Sequence, residues 1–374
     1  MSTPRSAAKL FVWLAGLLIL AASAARAGES ASVDDIAKFL AGMPPSAGSP
    51  LEPLTRTHGW RQHAKQLDAA WKDLELRQLS RIRAWSSGNL PERQPVLFYM
   101  FSGPDFLYAD TFFPDASSYV LSGLEPVGKV PDVARLPHGT VLRGLSQVQA
   151  SLATVLSFGF FITEDMKAKL RTGEFTGTLP ILYVFLARSG KTIREVSFVM
   201  LDKDGQQQPL AGRPPASVAS GVKIDFSGSD GRARTLYYFS TDVSDGAIRS
   251  SGFLRFCEQL GSGDSLIKSA SYLLHLGPFS KVREFLLEHS SVIVQDDSGI
   301  PIRYFAPDRW VLRAFGSYRG PISIFAHHHQ ATLSKLFQKG RATPIDFGIG
   351  YRWRPHETNL LLAVRTVASA GYEP

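Results

Sequence analysis

A single cysteine, Cys257, in 374 residues sets the first limit on how this chain is held together. One thiol excludes a disulfide scaffold, a Cys-rich zinc module and an iron–sulfur cluster held by the chain's own cysteines. Stability must come from buried apolar surface, and a hydrophobic share of 44% can supply it. The segment FLRFCEQL surrounds Cys257 with Leu254, Phe256 and Leu260. A buried packing role is therefore expected, not a reactive thiolate, which needs a His partner and an electropositive, accessible setting.

The first residues direct the chain out of the cell. Arg5 and Lys9 accompany LFVWLAGLLILAA (10–22), and Ala25-Arg26-Ala27 follows. A positive start, a short apolar core and an A-x-A site make a secretory signal peptide, with cleavage expected before Gly28. The apolar core is shorter than the roughly 20 residues of a membrane span, and no later stretch reaches ~18. The mature chain is expected in the periplasm or outside the cell, with no transmembrane segment. Cleavage removes Arg5, Lys9 and Arg26 and no acid, so the formal net charge falls from +8 to +5. That surplus, without a run of five or six basic residues, gives no footprint for nucleic acid.

After the leader, 28–94 reads as a helical N-terminal arm with a Pro-rich linker at 43–54. Within it, 56–87 is one amphipathic helix: Trp60, Ala64, Leu67, Trp71 and Leu74 recur at helical spacing, with Gly88 and Pro91 closing it. Its stripe suits docking on the chain's own core or on a protein partner. From 95 to 202 the chain reads as a first α/β half: strands PVLFYMF and YVLSGLE, a helix over 142–170, and a hairpin of ILYVFLA and TIREVSFVML around Arg188-Ser189-Gly190-Lys191. A polar, Pro/Gly-rich connection fills 203–221, and a second half with C-terminal strands fills 222–374.

The halves echo each other. TLYYFS (235–240) parallels VLFYMFS (97–102), SASYLLHLGPF (269–279) parallels SLATVLSFGFF (151–161), and VIVQDDSGIPIRYF stands where the first hairpin stood. The expected fold is mixed α/β (α+β): a helical arm on a duplicated strand–helix–hairpin core with a mostly antiparallel sheet.

Candidate chemistry gathers where apolar strands end. Ser102, Asp105 and nearby Asp110 follow the first aromatic strand; Ser240, Asp242 and Asp245 follow its echo. Two carboxylate-bearing loops facing one cleft suit general acid/base work or an oxygen-ligated divalent cation. Asp105 and Asp242, with the loop residue His138 as a base, are the catalytic candidates. Ser, Gly, Pro and Asp are also turn formers, which explains the same residues without chemistry. Tyr99 and Tyr108, in the aromatic stretch from Phe98 to Phe113, join Ser102 and Ser240 as candidate ligand contacts. His327 and His329 are the candidate metal ligands, although three consecutive histidines cannot all face one ion and no H-E-x-x-H accompanies them. Ser189-Gly190-Lys191-Thr192 lacks the first glycine of a phosphate loop, since Phe185 stands there. No G-x-S-x-G occurs. The expectation is an exported binding or envelope-associated protein. The alternative is a hydrolase acting on an envelope polymer through the two strand-end carboxylates.

Overall fold

The alternation of burial along the first strand organises the computed structural model, which describes residues 30–159, 173–210, 212, 218–339 and 342–366. In β1 (Val96–Tyr99), Leu97 and Tyr99 enter one apolar core, while Val96 and Phe98 enter a second. Successive side chains of a strand point to opposite faces, so a strand apolar at every position is buried on both. β2 (Ser118–Gly123) behaves alike, with Tyr119 and Leu121 on the first side and Val120 on the second.

Eight further strands complete one sheet among the described residues: β3 (Thr192–Leu201), β4 (Gln207–Pro209), β5 (Ser220–Ser227), β6 (Ala233–Ser240), β7 (Gly263–Ile267), β8 (Ser290–Gln295), β9 (Trp310–Gly316) and β10 (Asn359–Arg365). The order is β4-β3-β5-β6-β2-β1-β7-β8-β10-β9. Both flanks are antiparallel, giving five pairings of the nine. The central strands β6-β2-β1-β7-β8 pair in parallel. The chain winds from β1 through β2 to β6, then returns to β7 on the other side of β1. The order therefore reverses between β1 and β7, and a crevice opens at the carboxyl ends of strands at such a point.

Helices cover both faces. The first face carries α1 (Val33–Leu40), the long helix formed by α3 (His58–Leu74), a π-helical turn (Glu75–Leu79) and α4 (Ser80–Asn89), then α5 (Phe106–Phe112), α6 (His138–Phe158) and α7 (Leu179–Arg188); the short α2 (Glu52–Thr55) joins α1 to α3. The second carries α9 (Phe253–Gln259), which follows the short α8 (Asp245–Ile248), with α10 (Ser280–His289) and α11 (Ala331–Lys339). The Thr57 side chain caps α3 by accepting from the Trp60 amide. The expected stripe then faces inward. Trp60, Leu67 and Leu74 are buried, Trp60 Nε1 donates to the Phe39 carbonyl, and Trp85 meets Phe112, Phe315 and Phe347 edge-on. The stripe thus packs on the chain's own core. No helix among the described residues is long and apolar enough to cross a membrane. The expected leader (1–27) and residues 160–170 of the expected helix lie outside the described residues.

Several expectations are corrected. ILYVFLA is not a strand but most of α7, with Pro180 in its first turn. A short apolar run buried all round does not distinguish helix from strand by periodicity, and Pro near its start favours a helix. β3 consequently pairs with β4 and β5. The second hairpin is also missing: after β8 the chain folds back through Asp296–Ser298, and Pro301 leads into a 3-10 turn at Ile302–Tyr304. DFGIGYRW forms only an isolated bridge between Ile349 and Arg352 around Gly350, whose φ is +72°. The duplication is not carried by the elements. Residues 151–158 end a long helix, whereas 269–279 form a loop with two 3-10 turns.

Candidate functional site

The sheet's reversal point is occupied by a cavity of about 550 Å³. Its walls come from the loops after β1, β2, β6 and β7, with Ile322, Ile324 and Phe325 closing one side. Leu124 and Ile324 stand at the mouth, 58% and 71% exposed, so the rim is apolar and open to solvent.

Below the rim lies a buried polar floor. Asp105 caps α5 by accepting from the Tyr108 amide through Oδ1 at 3.2 Å. Its Oδ2 accepts from the Tyr99 hydroxyl at 2.8 Å and faces Lys268 Nζ at 2.7 Å. Lys268 directly follows β7; it also donates to the Gly159 carbonyl at 2.6 Å and sits 4.2 Å over the Tyr108 ring. Both charged side chains are 2% exposed, which is tolerable only because each is paired and hydrogen-bonded. Burial, then the Asp105 charge, pushes the Tyr99 hydroxyl well above its ordinary pKa, so Tyr99 stays a proton donor.

The backbone around this floor is strained. Among the described residues, the non-glycine positions with left-handed φ are Phe101 (72°), Ser269 (52°), Ser271 (50°) and Tyr272 (54°). All lie on the loops after β1 and β7. Such conformations cost on the order of 1 kcal/mol or more each and gather at functional sites. Tyr351 braces the second loop, its hydroxyl donating to the Ser269 carbonyl at 3.0 Å and accepting from the Ser271 amide at 3.2 Å. Two hydroxyls on the walls, Ser122 Oγ and Ser269 Oγ, are buried without a hydrogen-bond partner in the protein. Buried polar atoms are normally satisfied, so such a pair at a cavity points to groups that meet a ligand.

A second acidic group lies behind the floor, at the end of β8. Asp296 accepts from the Ser269 and Ser298 amides, both at 3.0 Å. Burial, then the neighbouring Asp297, raises its pKa above the ordinary carboxylate range. Asp297 accepts from the Tyr272 hydroxyl at 2.8 Å and from Asn359 Nδ2 at 3.1 Å, and burial raises it too. These contacts hold the post-β7 loop, so the pair supports the cavity from outside its lining.

The structure brings Tyr99, Ser102, Asp105 and Asp242 together around the one cavity. It does not bring the other candidates there. Tyr108 lies beneath Lys268, outside the lining. Ser240 ends β6, paired with Ser220 and Gly123. His138 begins α6 on the exposed surface, because a Pro137-led helix start projects it into water. Asp110 pairs with Lys191 at 2.7 Å, and Asp245 anchors the start of α10 through Ser280 and the Lys281 amide. The candidate metal ligands lie apart from the cavity too. His327 ends on a 3-10 turn, His329 stacks on Tyr318 at 5.5 Å, and among the described residues no three His, Cys, Asp or Glu converge.

Lys268, Glu125, Ser122 and Ser269 were the residues that sequence reasoning passed over. In SLIKSAS and VLSGLE a lone charge stands just past an apolar strand, but its neighbours in the cavity come from distant segments. No family model, no characterised protein and no solved structure matches the chain.

Proposed function

We propose that this is an exported binding protein whose ligand is a small, partly apolar molecule held in the cavity at the carboxyl ends of β1, β2, β6 and β7. One observation carries the reading. Three of the four described non-glycine residues with left-handed backbone (Phe101, Ser269 and Ser271), the buried Lys268–Asp105–Tyr99 group and two unpartnered wall hydroxyls meet at this cavity. A fold that needed these strands only for packing would gain from relaxing each of those features. Export rests on the leader at 1–27.

The test is a thermal-shift screen of the purified protein against envelope metabolites, repeated with Thr241→Trp, which adds bulk at the cavity wall. A ligand at ~100 times its dissociation constant adds about 2.7 kcal/mol of stability. A shift in the wild type that disappears in the variant supports the reading. A shift that survives the variant unchanged places the ligand elsewhere and rejects it.

The convergence of Asp105 and Asp242 on one cavity favours a second reading, a hydrolase acting on an envelope polymer. Asp105 is held by Lys268 and Tyr99 and Glu125 is buried, so Asp242, exposed at the wall, is the carboxylate best placed to activate water. Turnover of envelope glycans or peptides by the wild type, lost in Asp242→Asn, would select it.

A further inference from the structure

The charge and chemistry of the lining narrow the ligand. Three carboxylates, Asp105, Glu125 and Asp242, face one cation, Lys268, which Asp105 and the Gly159 carbonyl already occupy. The cavity is acidic on a chain whose formal net charge is +8. Among the described residues no cation pairs with Glu125. Its side chain is buried, with Oε2 3.4 Å from the Tyr238 hydroxyl. The carboxylate lies against Gly123, where an added Cβ would come within 2.4 Å of Oε2. Next to Gly123, the Ser122 hydroxyl is buried, lines the same cavity and has no partner in the protein.

Around these acceptors stand aromatic faces. The Phe101 and Phe279 rings lie 6.1 Å apart on one side, and Phe325 and Tyr351 lie 5.3 Å apart on another. Aromatic faces attract cations, most strongly in desolvated sites. A sugar would need donors as well as acceptors for its hydroxyls. The free donors of the lining are few, the Ser122 and Ser269 hydroxyls and the one Lys268 N–H left by Asp105 and the Gly159 carbonyl, while carboxylates only accept. An anion would meet the carboxylates unscreened.

We infer that the cavity takes an organic cation, an ammonium group on an apolar body. The ammonium lies near Glu125 and Ser122 and the body runs between the rings to the Leu124–Ile324 rim. This inference rests on the cavity reading above and adds the ligand's charge.

Phenylbutylamine, phenylbutanol and phenylbutyrate share one body and differ in charge, and calorimetric titration of the purified protein with each separates the cases. The amine is expected to bind at least about tenfold tighter than the alcohol, with the carboxylate weakest, as electrostatic complementarity demands. Glu125→Gln should weaken the amine about tenfold and leave the alcohol unchanged. Asp242→Asn, at an exposed wall position where the amide oxygen can still accept from the Ser244 amide, should weaken the amine in the same direction. The inference is overturned if alcohol or carboxylate binds as well as the amine, or if both variants bind the amine like the wild type. Binding by none of the three rejects the cavity reading itself.

Discussion

Lys268 and Asp105 form an ion pair at 2.7 Å with both side chains 2% exposed, and they come from the loops after two adjacent parallel strands, β7 and β1. The pair ties together the two sides of the crevice at the point where strand order reverses. It also sets the position of α5, because the same carboxylate caps that helix. Removing one partner of such a pair strands the other charge away from water.

Lys268→Met is therefore expected to destabilise the protein by about 3–5 kcal/mol in urea denaturation. Asp105→Asn keeps a good helix cap but leaves Lys268 facing an amide, and should cost a comparable amount. The double variant should cost less than the sum by more than about 1 kcal/mol, as for residues in contact. Additive losses would deny the coupling.

Asp264 gives a pH dependence of known sign. Its carboxylate accepts from the Gln94 amide at 2.9 Å and from the Val292 amide at 3.1 Å, linking the entry to β1 with β8. Burial nevertheless raises its pKa to about 6, above the ordinary 3.8. The folded state then holds the proton more tightly than the unfolded chain. This group's contribution is complete below about pH 3.8 and is lost as pH rises through about 6. The wild type should lose roughly 2–3 kcal/mol from this source between pH 4 and 7.5. Asp264→Asn, which cannot titrate, should flatten that slope. An equal slope in the variant would assign the pH dependence to other groups, Asp296 first.

How much of this was legible follows the range of the interactions. The α3–α4 stripe was readable because helix periodicity is local: Trp60, Leu67 and Leu74 point inward for reasons contained in one segment. Asp105 and Asp242 were readable because strand ends can be found without knowing what lies beside them. The parallel centre was not readable, since nothing within β1 or β7 announces that residues so distant in sequence become neighbours. The likeness of VLFYMFS to TLYYFS has a physical basis that requires no repetition. Both belong to central parallel strands covered on two faces, which requires a continuous apolar run. Lys268 was missed for the same reason: a lone Lys after SLI gains meaning only beside Asp105.

Cys257 lies on α9 in the second core, fully buried, and burial pushes its thiol well above the ordinary range. The thiolate is the reactive form, so native protein should resist thiol reagents at neutral pH. Labelling should proceed only at the rate at which this core opens, and it should accelerate in step with urea unfolding. Rapid stoichiometric labelling of folded protein would show that α9 detaches locally.

Ser122 separates stability from binding most directly. Its hydroxyl is 1% exposed as a residue and unpartnered, so the folded protein bears a desolvation penalty without compensation. Ser122→Ala removes that atom and leaves the backbone of β2 in place, where the Ser122 carbonyl still accepts from the Ser102 and Gly103 amides. The variant should be as stable as the wild type or more stable by up to about 1 kcal/mol in thermal or urea melts. If the hydroxyl is retained for a ligand, the same variant should bind phenylbutylamine several-fold more weakly. A loss of stability would mean that Ser122 has a structural partner. Stability gained with unchanged affinity would remove Ser122 from the site and leave Glu125 as the group that holds the ammonium.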